Sequence, residues 1–146
     1  MAIRNIITLE NDLLRKKSKV VTDFDKKLCD FLDDMKETLQ SHNGAGLAAV
    51  QVGILRRIFV VEVAGAYLEF INPVIVRKVG SLSDMEGCLS IPDRSEMVTR
   101  PQKVTVKALN RYGEKFEITL ENYSARAVCH EYDHLEGVLY IDYLKK

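Results

Sequence analysis

Residues 130–134 read His-Glu-Tyr-Asp-His, and this run limits the fold more than any other feature of the chain. On a helix turning about 100° per residue, His130 and His134 share one stripe a single turn apart, where two imidazoles can hold one metal ion. Glu131 lies beside that stripe, turned enough to address a water instead of the ion. Val128, Tyr132 and Leu135 follow the spacing of a core-facing surface on the other side. A helix with ligands on one stripe and apolar groups on the other must be sandwiched inside the fold. The rest of the chain therefore has to supply layers around it and a cavity for the ion.

That helix is expected over residues 124–136, with Gly137 where a left-handed cap is wanted. Leu28, Phe31, Leu32, Met35 and Leu39 recur at helical spacing and predict a first helix over residues 25–40. Thr22 to Asp25 offer its capping start, and Asn43 with Gly44 its end. Between the helices the pattern is β-rich. Strands are expected at residues 57–63, 67–71 and 74–79, the last two divided by Asn72-Pro73, and at 103–109 and 115–120 around a turn at Arg111-Tyr112-Gly113. Helix, strands, helix without βαβ alternation is an α+β order. No Pro-, Gly- or Ser-rich linker and no repeat interrupts it, so residues 1–146 are read as a single domain, the size for which a 47% hydrophobic chain can build one core.

Composition removes several functions. Lys+Arg and Asp+Glu are both 21, so no general field exists to hold a DNA backbone. No apolar run reaches the length of a membrane span and no leader is evident. Three cysteines cannot form a disulfide framework, which implies a reducing compartment and a cytoplasmic protein. Cys29 and Cys129 are read as packing residues.

A catalytic metal site needs a third protein ligand and an open position. His42, an acidic residue, or Cys88 in the tight run Glu86-Gly87-Cys88-Leu89-Ser90 could each serve, and Cys88 is equally readable as core filler. Gly87 permits the close backbone approach that a ligand-bearing or oxyanion-binding segment requires. A third segment, residues 44–51, places two glycines around Ala45 and ends on Gln51. Such a backbone lies against something, either a peptide or another strand, and Gln51 adds a neutral amide donor. It lacks the pattern of a phosphate loop.

The three segments GAGLAAVQ, EGCLS and HEYDH, in this order within one small chain, resemble the signature motifs of the bacterial peptide deformylases. The resemblance spans nearly the whole chain. It implies antiparallel sheets packed around a central metal-binding helix, and a metal-dependent amidohydrolase that removes the formyl group from N-terminal formylmethionine of newly made polypeptides, releasing formate. It implies one divalent ion, ferrous iron first and zinc, nickel or cobalt as substitutes, held by Cys88, His130 and His134. Glu131 would be general base and acid, and Gln51 with the backbone N–H of Leu89 the oxyanion donors. Ala45 and Gly46 would pair their backbones with the substrate peptide as an extra strand, and Gly87 of the EGCLS segment would also be substrate-binding. The side chain after the formyl group would enter a pocket near Ala45 and Ala127, with Tyr123 one turn further back. Glu86 and Asp133 would support an imidazole or anchor Arg100, Asp133 being equally readable as surface charge.

The chain departs from the family pattern at Cys129, where glutamine is common, and at Ala45, where a larger aliphatic is common. It also stops soon after Gly137, short of the C-terminal helix implicated in ribosome docking in several members, which leaves open how the expected transient ribosome contact would be made. The basic run at residues 15–19 is readable as an RNA contact and more simply as a solvated loop. Two other classes compete. A zinc peptidase would replace the cysteine ligand by His or Glu, and a peptide-binding domain with structural metal would need a fourth protein ligand.

Overall fold

The computed structural model describes residues 2–144. Nine regular elements follow one another: α1 (Lys26–Ser41), β1 (Gly46–Ala48), β2 (Ile58–Val63), β3 (Ala66–Val79), β4 (Leu82–Cys88), β5 (Ile91–Arg100), β6 (Lys103–Leu109), β7 (Lys115–Glu121) and α2 (Tyr123–Leu135), with short 3-10 turns at Asp12–Arg15, Ala49–Val52 and Tyr140–Leu144. All strand pairs are antiparallel. Five strands form one sheet in the order β1-β2-β3-β6-β7, and β4 with β5 forms a separate hairpin. The α+β architecture expected from the sequence is the one observed.

Helix α1 starts where Asp25 accepts a hydrogen bond from the Leu28 N–H at 3.0 Å, so the cap is the last of the four residues expected to provide it. Its buried stripe, Leu28, Leu32, Met35 and Leu39, packs on Leu47, Ile58, Val60 and Ile71 from one face of the sheet. Each such side chain contributes roughly 1.5–3 kcal/mol by leaving water. The opposite face brings Phe59, Val61, Phe70, Val104 and Val106 against Val128 and Leu135 of α2. Strand β2 is buried on both faces because a helix lies on each.

Helix α2 touches β1, β2 and β7 of the sheet and β5 of the hairpin, which makes it the central layer that its two-sided pattern requires. It ends at Gly137, whose φ of 76° is left-handed, and a Cβ there would also run into the Arg15 carbonyl. Both reasons exclude a side chain.

The strand expectations are corrected in two respects. The two strands read at 67–71 and 74–79 are one strand, β3, bent by a bulge between Ile71 and Val74. Asn72 takes a φ of 51° there, and its amide accepts from the Val21 N–H at 2.8 Å and donates to the Val21 carbonyl at 2.9 Å. Pro73, which has no N–H to lose, sits in the same irregularity. The hairpin β4–β5 and the short strand β1 lie where no strand was read. The basic run at residues 15–19 is exposed apart from Ser18, and two of its charges are partnered: Arg15 pairs with Asp142 at 2.7 Å and Lys17 stands 3.9 Å from Glu136, while the main chain of Lys19 forms a parallel bridge with that of Arg56. Cys129 is buried as expected, whereas Cys29 is only half-buried.

Candidate metal centre

Three elements meet at the edge of α2 that carries the buried His130, Glu131 and His134. Helix α2 contributes His130 and His134. The end of β4 contributes Cys88, where the hairpin register slips between Gly87 and Cys88 before the turn at Leu89 and Ser90. Strand β1 and the turn after it contribute Gly46 and Gln51. The ligand atoms of Cys88, His130 and His134 all lie within 4.8 Å of one another, and Cys88 Sγ stands 3.4 Å from His134 Nε2. A tetrahedral ion with bond lengths near 2.3 Å to sulfur and 2.0–2.1 Å to nitrogen holds such a pair about 3.5 Å apart, so the donor set fits a divalent cation. His42, the alternative third ligand, lines the same cleft but engages its Nδ1 with the Thr38 carbonyl at 2.9 Å and stands outside the cluster.

The imidazoles are set by a buried ion network. Glu86 bonds His130 Nδ1, which leaves His130 Nε2 facing Cys88 and His134. Arg100 grips Glu86 with Nε at 3.1 Å and Nη2 at 2.6 Å, and its Nη1 reaches Asp133 at 2.7 Å. Arg126 adds a bond to Glu86 at 2.9 Å, and the Tyr143 hydroxyl donates to Asp133 at 2.7 Å. Burial alone would raise the Glu86 carboxyl, but the hydrogen bonds from His130 and Arg100 outweigh it and hold the group down at about 2. Asp133 is thus an anchor for Arg100, not free surface charge.

Glu131 has a different environment. Burial, opposed by the charge of His130 and reinforced by that of Glu86, pushes its carboxyl up to about 7 among the protein groups alone. Its Oε1 is buried without a hydrogen-bond partner among the described residues. A carboxyl poised near neutrality, beside the ligands and free on one oxygen, is suited to proton transfer.

Gln51 is 1% exposed, and its orientation is fixed: Oε1 accepts from the Ala48 N–H at 2.9 Å, so Nε2 turns to Ser90 Oγ at 3.1 Å and towards Cys88 Sγ at 3.6 Å. Leu89 lines the cleft next to Cys88. The cleft has a volume of about 620 Å³ and also takes in Ala45, Gly87, Tyr123 and Ala127. A Cβ at Gly87 would meet only ordinary contacts, 3.4 Å to the Arg94 carbonyl and 3.5 Å to Ser95 Oγ, so the protein itself does not crowd that backbone. All the residues singled out from the three motifs therefore face one cavity or the ligand cluster within it.

One detail of the peptide edge is revised. Glu62 N–H donates to the Ala45 carbonyl at 2.8 Å, so that carbonyl is engaged with β2. Antiparallel alternation then turns Gly46 N–H and C=O to the outer side of β1, along which no described strand pairs. Two supporting residues escaped the sequence reading. Ser90 orients Gln51, and Arg126, 3% exposed, braces Glu86 while bonding the carbonyls of Val98 and Leu82. An arginine one turn before His130 in an otherwise apolar helical run was the available signal, because a buried guanidinium needs acceptors.

The chain matches the polypeptide deformylase family over residues 3–146. It is 53% identical over 142 residues to the peptide deformylase of Caldicellulosiruptor bescii, covering 97% of this chain and 86% of that one, and 51% identical over 144 residues to peptide deformylase 1 of Clostridium acetobutylicum, covering 99% and 96%. Among solved structures, the peptide deformylase of Thermotoga maritima superposes with a TM-score of 0.97 at 39% identity over the full length of both chains. That of Legionella pneumophila gives 0.96 at 42% identity, covering 99% of this chain and 87% of that one. Sequence, fold and the convergence of three motifs on one cleft agree: the chain belongs to the polypeptide deformylase family.

Proposed function

We propose that the cleft removes the formyl group from N-terminal formylmethionine of newly made polypeptides and releases formate, with Cys88, His130 and His134 holding one divalent ion. The observation that carries this reading is the meeting of one cysteine sulfur and two imidazoles beside a buried carboxyl that is raised to about 7 and has one oxygen without a partner among the described residues, at an open cleft. One thiolate with two imidazoles suits Fe2+, Zn2+, Ni2+ or Co2+ alike, and ferrous iron is the first to test. When bound, such an ion supplies Lewis acidity that makes water nucleophilic near neutral pH.

The chain's own groups do the rest. The substrate peptide extends along the outer edge of β1, pairing with Gly46 N–H and C=O as an added strand. Its first side chain enters the space beside Ala45 and Ala127, with Tyr123 at the rim and Gly87 opposite. Glu131 takes a proton from the attacking water and returns it to the amine that leaves. Gln51 Nε2 and Leu89 N–H donate to the formyl oxygen as it becomes anionic, each worth roughly 10²-fold or more in rate. Gln51 is suited to this because its carbonyl is tied to Ala48 and cannot turn towards the substrate. Glu86, Arg100, Arg126 and Asp133 hold His130 still while charge shifts. Substrates that are nascent chains imply a cytoplasmic enzyme in transient contact with the ribosome. No described helix is long and apolar enough to cross a membrane.

Formate release from formyl-Met-Ala-Ser, run beside a casein digest, tests the reaction. Stoichiometric formate and intact casein are expected. Casein cleavage without formate would return the protein to the peptidase class.

A further inference from the structure

Gly46 belongs to the peptide edge, yet its backbone gives no reason for glycine: its φ lies outside the left-handed region in which Gly53, Gly65, Gly80, Gly113 and Gly137 are found. The reason stands across the cleft. A Cβ on Gly46 would lie 2.7 Å from Glu131 Oε2, 2.8 Å from its Cγ and 3.0 Å from its Cδ. Such distances require something to move, and the helix cannot. Glu131 is 4% exposed, and the turns on either side of it are tied down through Arg126 and His130 to Glu86 and through Asp133 to Arg100. The carboxylate would have to swing instead.

We propose that Gly46 is a positioning residue for Glu131: its bare α-carbon is the floor on which the carboxylate rests, so one residue fixes the proton carrier with its α-carbon and the substrate with its main-chain N–H and C=O. The peptide is thereby registered against the same atom that locates the base. This rests on the reading of Glu131 as the group that moves the proton.

The test is Gly46→Ala, made alone and in a Glu131→Ala background. Alanine keeps the N–H and C=O that pair the peptide, so KM for formyl-Met-Ala-Ser should change little while kcat falls by about 10²-fold, the usual consequence of misplacing a catalytic group by about 1 Å. Stability gives a readout independent of turnover. With Glu131 present, Gly46→Ala should lower Tm by several degrees. With Glu131→Ala, the same substitution should leave Tm unchanged or raise it, because replacing glycine at an unstrained strand position restricts the unfolded chain. If the single variant does not fold, a folded double variant gives the same answer. A raised KM with kcat intact, an equal loss of Tm in both backgrounds, or a double variant that also fails to fold would overturn the proposal. Turnover of formyl-Met-Ala-Ser by the unaltered enzyme, measured alongside, tests the deformylase reading separately from the Tm comparison.

Discussion

Glu131 and Glu86 are carboxylates that both interact with His130, and their surroundings separate their roles. Glu86 is gripped by two guanidiniums and held ionised at about 2, so it orients His130; Glu131 has a buried oxygen without a partner and a carboxyl raised to about 7, so it can exchange a proton. Glu131→Gln keeps shape and removes the exchange. Its metal content should equal that of the unaltered protein while kcat falls by roughly 10²-fold or more, and loss of metal would make Glu131 a ligand instead. The helical offset between His130, Glu131 and His134 already distinguished carrier from ligands in the sequence. What it left open was the third ligand, because Cys88, His42 and an acidic residue were all compatible with local pattern. Only the slip in the hairpin register brings Cys88 to His134 while Thr38 engages His42.

Helices and the β6–β7 hairpin were legible because their apolar positions keep strict period. The β4–β5 hairpin was not, since its polarity is inverted. Its inward positions carry Glu86 and Arg100 beside Val98, while Met85 and Met97 pair on the outside, 50% and 57% exposed. Charges placed inward to hold a histidine erase the alternation that announces a strand. Strand β1 spans three residues, too few for any period to show. At β3 the Asn72-Pro73 pair read as an end, and the amide of Asn72 turns it into a bend by standing in for a strand neighbour to Val21. Asn72→Ala removes both bonds and leaves alanine at a left-handed φ. Urea unfolding should show a loss of about 2–4 kcal/mol, summed from two hydrogen bonds and the backbone strain. Formate release per folded molecule should be unchanged, because the bulge is remote from the cleft. A stability within about 0.5 kcal/mol of the unaltered protein would show that the bulge needs no amide.

As a whole the molecule is a set of layers built to hold one helix: α1 stiffens the far face of the sheet, the sheet supports α2, and the hairpin closes over the edge that carries His130 and His134. The cleft left between them has small residues, Ala45 and Ala127, where the first side chain of the substrate is proposed to enter. Burial of a methionine side chain is worth on the order of 2 kcal/mol, so formyl-Met-Ala should exceed formyl-Gly-Ala by tens-fold in kcat/KM. Ala45→Ile should penalise formyl-Phe-Ala more than formyl-Met-Ala. Equal rates for the Gly and Met substrates would show that the pocket is unused.

The central claim is that one ion, held by Cys88 together with His130 and His134, is what makes this fold an enzyme. Elemental analysis of anaerobically purified protein, paired with formate release, measures it directly in the unaltered chain, Cys88→Ala and His42→Ala. The account predicts one equivalent of divalent metal and full turnover in the unaltered chain and in His42→Ala, and loss of both together in Cys88→Ala. Stoichiometric metal with normal turnover in Cys88→Ala would contradict it.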